Sequence, residues 1–168
     1  LEDSRKEETT KITPFMQDEW EGFENVYEDE MMKELDTTYK MVDLDKVADA
    51  ISKLPEDKKF MRKVKKIIDL RNKLYFEDNK LDWAMAEHLA YGSLMKEGFN
   101  IRISGQDSER GTFSHRHAIV KVEDSEEEII LHNNIEGREG DFFVYNSPLS
   151  EYGVMGFDYG YAMASPQT

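Results

Sequence analysis

The sequence predicts an α/β fold in which a mainly parallel sheet with helices follows a charged, mostly helical segment. Two observations carry this. Residues 1–79 are dense in charge and recur at helical spacing, whereas residues 82–164 alternate helical stretches with short β-branched or aromatic runs. A third is compositional. With 39% hydrophobic residues in 168, the chain can bury a core of one ordinary domain.

In chain order, residues 18–36 are rich in Asp and Glu with interspersed Trp20, Phe23 and Tyr27. Residues 44–54 read as a short amphipathic helix stopped by Pro55, and residues 56–75 as a longer one. In the longer helix Phe60, Val64, Ile67, Ile68, Leu74 and Tyr75 share helical spacing, while Lys and Arg fill the other faces. The basic stretch 58–66 reads as a solvated face rather than an anion site. Asp82 is an N-cap for a helix over 83–97, with a predicted apolar stripe of Trp83, Ala86, Leu89, Ala90 and Leu94, and Gly98 is its stop. Strands are expected at 101–103, 118–122, 129–131 and 142–145, the acidic run 123–128 forming a turn between two of them. Residues 150–164 return to helix. The chain stops where another strand is expected, so the fold reads as truncated.

Several classes are excluded at once. A net charge of −14 argues against nucleic acid, because phosphate neutralisation needs clustered Lys and Arg. No apolar run approaches the ~20 residues that span a bilayer, and no signal-peptide pattern is visible, so no membrane role is expected. With no cysteine there is neither a disulfide nor a thiol nucleophile.

Two segments concentrate chemistry. Residues 104–117, Ser-Gly-Gln-Asp-Ser-Glu-Arg-Gly-Thr-Phe-Ser-His-Arg-His, follow a strand at the end where open α/β sheets place ligands. His115 and His117 have strand spacing for a metal pair but no third ligand nearby, so they read as hydrogen-bonded groups or substrate contacts. The second segment, residues 146–162, holds Gly153, Gly156 and Gly160 at offsets of three and four. That fits no nucleotide loop, but it puts the glycines on one helix face, where they permit close packing against a neighbour. Glu151 opens this helix and, taken alone, reads as a first-turn acid complementing the dipole.

Taken together, Asp82-Trp-Ala-Met-Ala-Glu87, Ser104-Gly-Gln-Asp107 with Arg110-Gly-Thr-Phe-Ser-His-Arg-His117, and Tyr145-Asn-Ser-Pro-Leu-Ser-Glu151 with Gly156-Phe-Asp-Tyr-Gly-Tyr161 closely resemble the E1 component of 2-oxoglutarate dehydrogenase. The resembling part is the transketolase-like domain that binds the pyrimidine ring of thiamine diphosphate. The resemblance implies a division into a helical connector (1–78) and the first part of a pyrimidine-binding domain (79–168). It places Glu151 where the family has the glutamate that hydrogen-bonds N1′ of the aminopyrimidine, raised in pKa by burial and helping the ring's own 4′-imino group to act as base. Gln106 falls at the position facing that glutamate, with Asp107 beside it as a further cofactor contact.

By the same resemblance, Mg2+ and the diphosphate belong to a Gly-Asp-Gly/Ala…Asn site absent from this chain, so no metal ligand is expected here. The implied reaction decarboxylates 2-oxoglutarate and passes a succinyl group to a lipoylated dihydrolipoamide succinyltransferase (E2). A homodimer, and a cytoplasmic or mitochondrial-matrix location, are implied as well. The chain alone is expected to be inactive. Two rivals are another 2-oxo acid, such as 2-oxoadipate, and a non-catalytic acidic assembly module.

Overall fold

The structure is a computed structural model that describes residues 32–125 and 127–165. The expected features of residues 18–31 lie outside them. Residues 32–40 are without regular structure and mostly exposed.

Three helices come first. Helix α1 (Met41–Ile51) buries Val47, Ala48 and Ile51, and the Ser52 hydroxyl donates to Ala48 O at 2.6 Å where it ends. Helix α2 spans Arg62–Phe76 and α3 spans Trp83–Lys96. The Asp82 carboxylate caps α3 by accepting from Met85 N at 2.6 Å, and Gly98 leaves it at φ 91, a left-handed turn suited to glycine.

Two expectations about these helices need correction. Helix α2 starts six residues later than expected, and Phe60 lies outside it. Phe60 instead forms an antiparallel bridge with Val122, and Glu123 N donates to Lys59 O at 2.8 Å. Pairing with a nearby strand satisfies this backbone, so it has no need of another helical turn. The buried stripe of α3 is also rotated from the expected one. It comprises Ala84, Met85, His88, Leu89, Gly92 and Met95, while Trp83 is 83% exposed. A search for large apolar groups passes over His88 and Gly92, which are buried against the Arg116 carbonyl and His132 and against Val47 respectively.

Strands β1 (Ile101–Gly105) and β4 (Phe142–Asn146) pair in parallel, in register from Ile101↔Phe142 to Gly105↔Asn146. The parallel sheet was expected. Between these strands in sequence, β2 (Ile119–Lys121) and β3 (Glu128–Ile130) form a separate antiparallel pair whose turn carries the acidic run. So short a connection permits only antiparallel pairing.

One hydrophobic cluster joins Val47, Ala48 and Ile51 of α1 to Met85, Leu89 and Met95 of α3, to Ala118 and Ile135, and to Phe142 and Val144 of β4. A second joins Phe60, Ile68, Val120, Val122 and Leu131. Residues on both sides of position 78 thus share the same clusters.

Helix α4 (Glu151–Ala164) lies beyond the other face of the parallel pair. Contact runs through Arg102, whose guanidinium sits over the rings of Tyr145 (4.8 Å), Phe157 (4.5 Å) and Tyr161 (5.0 Å). No residue of α4 is buried, and a Cβ built on Gly156 or Gly160 would meet no atom within 4 Å. Among the described residues, then, Gly156 and Gly160 meet no neighbouring element, while a Cβ on Gly153 would meet the Ser150 hydroxyl at 3.0 Å.

Candidate functional site

The parallel pair organises the site. Both strands end at the same level, Gly105 opposite Asn146, so the chain leaving each emerges at one sheet edge. Ser147 N donates to Gly105 O at 2.8 Å and extends the join by a residue. Gln106 and Asp107 follow β1 directly. Glu151 stands five positions beyond the end of β4, as the first residue of α4, where Ser150 caps the helix by accepting from Gly153 N at 3.0 Å.

The three expected site residues differ in surroundings. Gln106 and Glu151 are exposed, and neither side chain makes a hydrogen bond or ion pair among the described residues. The structure brings their two loops to one edge but does not join the two side chains. Asp107 is half-buried at φ 51, and its carboxylate pairs with Arg110 at 2.9 Å while its carbonyl accepts from Gly111 N at 2.6 Å. Beside the start of α4 lies a cleft of about 370 Å³, with Tyr145, Pro148, Val154 and Phe157 as apolar walls and Arg102 and Ser150 as polar ones. A flat heteroaromatic ring suits such walls, and on that ground the cleft fits an aminopyrimidine. Gln106, Asp107 and Glu151 do not line it; Glu151 follows the lining residue Ser150 in the chain.

The loop 106–117 is tightly specified. Gly111 (φ 77) and four non-glycine residues, Asp107, Phe113, Ser114 and His117, have left-handed backbone. Such conformations persist only where surrounding bonds over-determine them. Those bonds exist. Arg116 N and His117 N both donate to Arg110 O, at 2.7 and 2.8 Å, and Ala118 N donates to Glu109 O at 2.7 Å. Glu109 N donates to Asn146 Oδ1 at 3.1 Å, tying this loop to the end of β4.

Sequence reasoning missed the polar cluster beneath the loop. Glu87 on α3 accepts from the Arg116 guanidinium, from Tyr91 Oη at 2.9 Å and from His115 Nε2 at 3.2 Å. Burial acts to raise its pKa, but these three bonds and the Arg116 charge together hold it below the ordinary value. The Arg116 Nη1 donates to Ser108 O at 2.9 Å. From α2, Arg71 donates to Arg116 O at 3.0 Å and His115 O at 2.5 Å.

His88 Nε2 lies 2.8 Å from the same Arg116 carbonyl, and its Nδ1 is 3.2 Å from His132 Nε2. A carbonyl only accepts, so His88 carries its proton on Nε2 and accepts through Nδ1 from His132 Nε2–H. His132 stacks on Phe142 at 4.3 Å, and its buried Nδ1 has no partner. Burial pushes His88 down to about 4 and His132 to about 3, so both rings are neutral. His117 is buried as well and its pKa is lowered, chiefly by burial and then by the Arg71 charge. Its signals in the sequence were the polar Arg71, Glu87 and His88 at positions of helical periodicity and the imidazole and guanidinium groups of residues 115–117. His115 is thus hydrogen-bonded to Glu87, whereas His117 is buried with its Nε2 unpartnered, and among the described residues no three His, Asp or Glu side chains converge as metal ligands.

Comparison with known proteins covers the same stretch. Residues 79–168 match the family described as transketolase, pyrimidine binding domain. The chain is 41% identical over 150 residues to the mitochondrial 2-oxoglutarate dehydrogenase of Schizosaccharomyces pombe, covering 88% of this chain and 15% of that protein. It is 39% identical over 149 residues to the mitochondrial 2-oxoglutarate dehydrogenase of Saccharomyces cerevisiae, with the same shares. Against the 2-oxoglutarate dehydrogenase E1 component of Bacillus licheniformis it is 38% identical over 135 residues, 80% of this chain and 14% of that one. The chain thus spans about one-seventh of the relatives it matches. With the family match covering more than half of it and the two parallel strands carrying their loops to one edge, the chain belongs to the transketolase pyrimidine-binding domain family.

Proposed function

We propose that this chain is part of a 2-oxoglutarate dehydrogenase E1 subunit and holds the aminopyrimidine end of thiamine diphosphate. One observation carries the reading. Within the stretch that matches the family, two adjacent parallel strands end level and deliver Gln106, Asp107 and Glu151 to one edge. The relatives' names supply the substrate class.

When bound, the cofactor supplies the carbanion chemistry that decarboxylates a 2-oxo acid. The residues of this chain orient it and move one proton. Glu151 accepts and returns a proton at the pyrimidine N1′, and its freedom from protein partners supports that role. Gln106 offers an amide to the same ring edge or to Glu151. Asp107 acts by shaping the turn, because its carboxylate is already engaged with Arg110. Tyr145 and Val154 exclude water from the ring faces.

Residues 1–78 are proposed as a connector, a reading supported by the packing of its described helices α1 and α2 into clusters shared with the site domain. Mg2+ and the diphosphate would be held outside this chain. A homodimer is proposed on the exposed glycine face of α4, which leaves room for another subunit's backbone. The acyl acceptor would be a lipoylated E2, and the location the cytoplasm or the mitochondrial matrix.

The test compares wild type with Glu151→Gln in the full-length polypeptide carrying this segment. Reduction of an artificial electron acceptor is followed with 2-oxoglutarate, thiamine diphosphate and magnesium. A loss of ~10²-fold or more is expected for the variant. Equal activity in the two would remove Glu151 as the proton relay, and an inactive wild type would overturn the substrate.

A further inference from the structure

We infer that Arg71 on α2 is a positioning residue for the cofactor loop: by gripping the carbonyls of His115 and Arg116 it sets where Gln106 and Asp107 stand at the strand ends. The inference rests on the assignment of residues 104–117 and Glu151 to the cofactor site.

Arg71 falls three residues after the buried Ile68, on a helix otherwise basic only at its surface. It is 4% exposed. Burying a guanidinium costs several kcal/mol unless its charge and donors are satisfied. Its charge is met only by a long ion pair with Asp82, Oδ2 to Nε at 3.9 Å, and by the field of Glu87, and no carboxylate hydrogen-bonds it: Nε has no hydrogen-bond partner. If packing alone were at stake, an apolar side chain would serve better. What the arginine provides instead is a rigid fork. Its two terminal nitrogens hold two successive main-chain carbonyls, at 3.0 and 2.5 Å, a geometry that one ammonium group does not reproduce.

That grip is transmitted by bonds already described. Arg116, held at its carbonyl by Arg71 and His88, turns its own guanidinium to Glu87 and to Ser108 O. The next residue, Glu109, reaches Asn146 on β4. Asp107 and Ser108 thus sit between two anchored points, with Gln106 at the hinge to β1. Releasing Arg71 removes one of the bonds that over-determine the C-terminal end of a loop containing five left-handed residues. The helical segment before residue 79 thereby contributes directly to the site's geometry.

The experiment uses the full-length polypeptide carrying this segment, with Arg71→Lys as the variant. Ser52→Ala is the comparator: its buried hydroxyl bonds Ala48 O and the Asn72 amide beside Arg71, so it tests whether disturbing this helix contact without touching the guanidinium's grip moves the loop. Three quantities are read: hydrogen exchange of the Arg116, His117 and Ala118 amides without cofactor, thiamine diphosphate affinity by calorimetry with magnesium, and KM for 2-oxoglutarate. Loss of one charge-assisted bond predicts exchange and cofactor dissociation constants raised by about 10-fold or more in Arg71→Lys, with the substrate KM changed by less than about twofold. Ser52→Ala should lower Tm and leave all three unchanged.

A folded Arg71→Lys protein with wild-type loop exchange and cofactor affinity overturns the inference. If that variant does not fold, Glu87→Gln takes its place. It keeps the shape but loosens Arg116 and His115 from the other side, and unchanged values there overturn the inference equally. A wild type that binds no thiamine diphosphate overturns the site assignment, and this inference with it.

Discussion

The buried histidine pair makes the stability of the chain depend on pH in a window where few other groups titrate. In the folded state His88 takes a proton only near pH 4 and His132 near pH 3, against 6.5 for an unrestrained imidazole. The unfolded chain therefore binds more protons below pH 6.5, and stability falls as pH falls. Each ring contributes a slope of about 1.4 kcal/mol per pH unit once the unfolded state is protonated. Between neutral pH and pH 5 the loss is about 2 kcal/mol per histidine, or about 4 kcal/mol for the pair. That is a large share of a typical 5–15 kcal/mol. The buried His117, whose pKa is also lowered, adds in the same direction. Glu87, with its lowered pKa, loses its contribution only below the ordinary carboxylate range, so pH 5–6 isolates the histidines.

The assay is urea unfolding followed by circular dichroism between pH 5 and 7, on wild type and His132→Phe. Phenylalanine preserves the stack on Phe142 but removes one titrating ring. It also leaves His88 Nδ1 without its donor, at a cost of about 1–3 kcal/mol at pH 7. The variant should thus start less stable and lose stability more slowly, its slope smaller by about 1.4 kcal/mol per pH unit. Equal slopes in the two proteins would refute the buried neutral pair.

Other outcomes follow from packing and from the proposed division of the cofactor site. Gly92→Ala would drive a methyl group into Val47 Cγ1, which is fully buried in α1. Overpacking of about 1–3 kcal/mol outweighs the gain in helix propensity, and thermal melting should show Tm lowered by about 5 °C; an unchanged or raised Tm would mean the two helices separate freely. Met95→Ala, at a wholly buried position, should cost about 2–5 kcal/mol in denaturant unfolding. Calorimetric titration of the isolated chain with thiamine diphosphate should show weak or no binding, because the proposed function assigns the diphosphate and Mg2+ to residues outside this chain; micromolar affinity would contradict that proposal.

Periodicity and capping determined most of the elements. The Asp82 cap, the Gly98 stop, the strands at 101 and 142 and the final helix all depend on local backbone chemistry, which a few neighbouring residues specify. The motif runs around Gln106 and Glu151 were legible for the same reason: they are contiguous and keep their order and spacing. Which face of α3 is buried was not legible, because His88 and Gly92 have meaning only once α1 and the loop carbonyls lie against them. The strand-like role of Phe60 required Val122, sixty-two positions away in the chain, to arrive beside it.

The level ending of β1 and β4, and the grip of Arg71 and Glu87 on the loop, are likewise tertiary. The sequence by itself determined the family resemblance and the residues that carry it. Only the folded structure decided how the loop bearing Gln106 and Asp107 is held, since desolvation turns a surface-type arginine, a glutamate and two histidines into fixed, directional contacts.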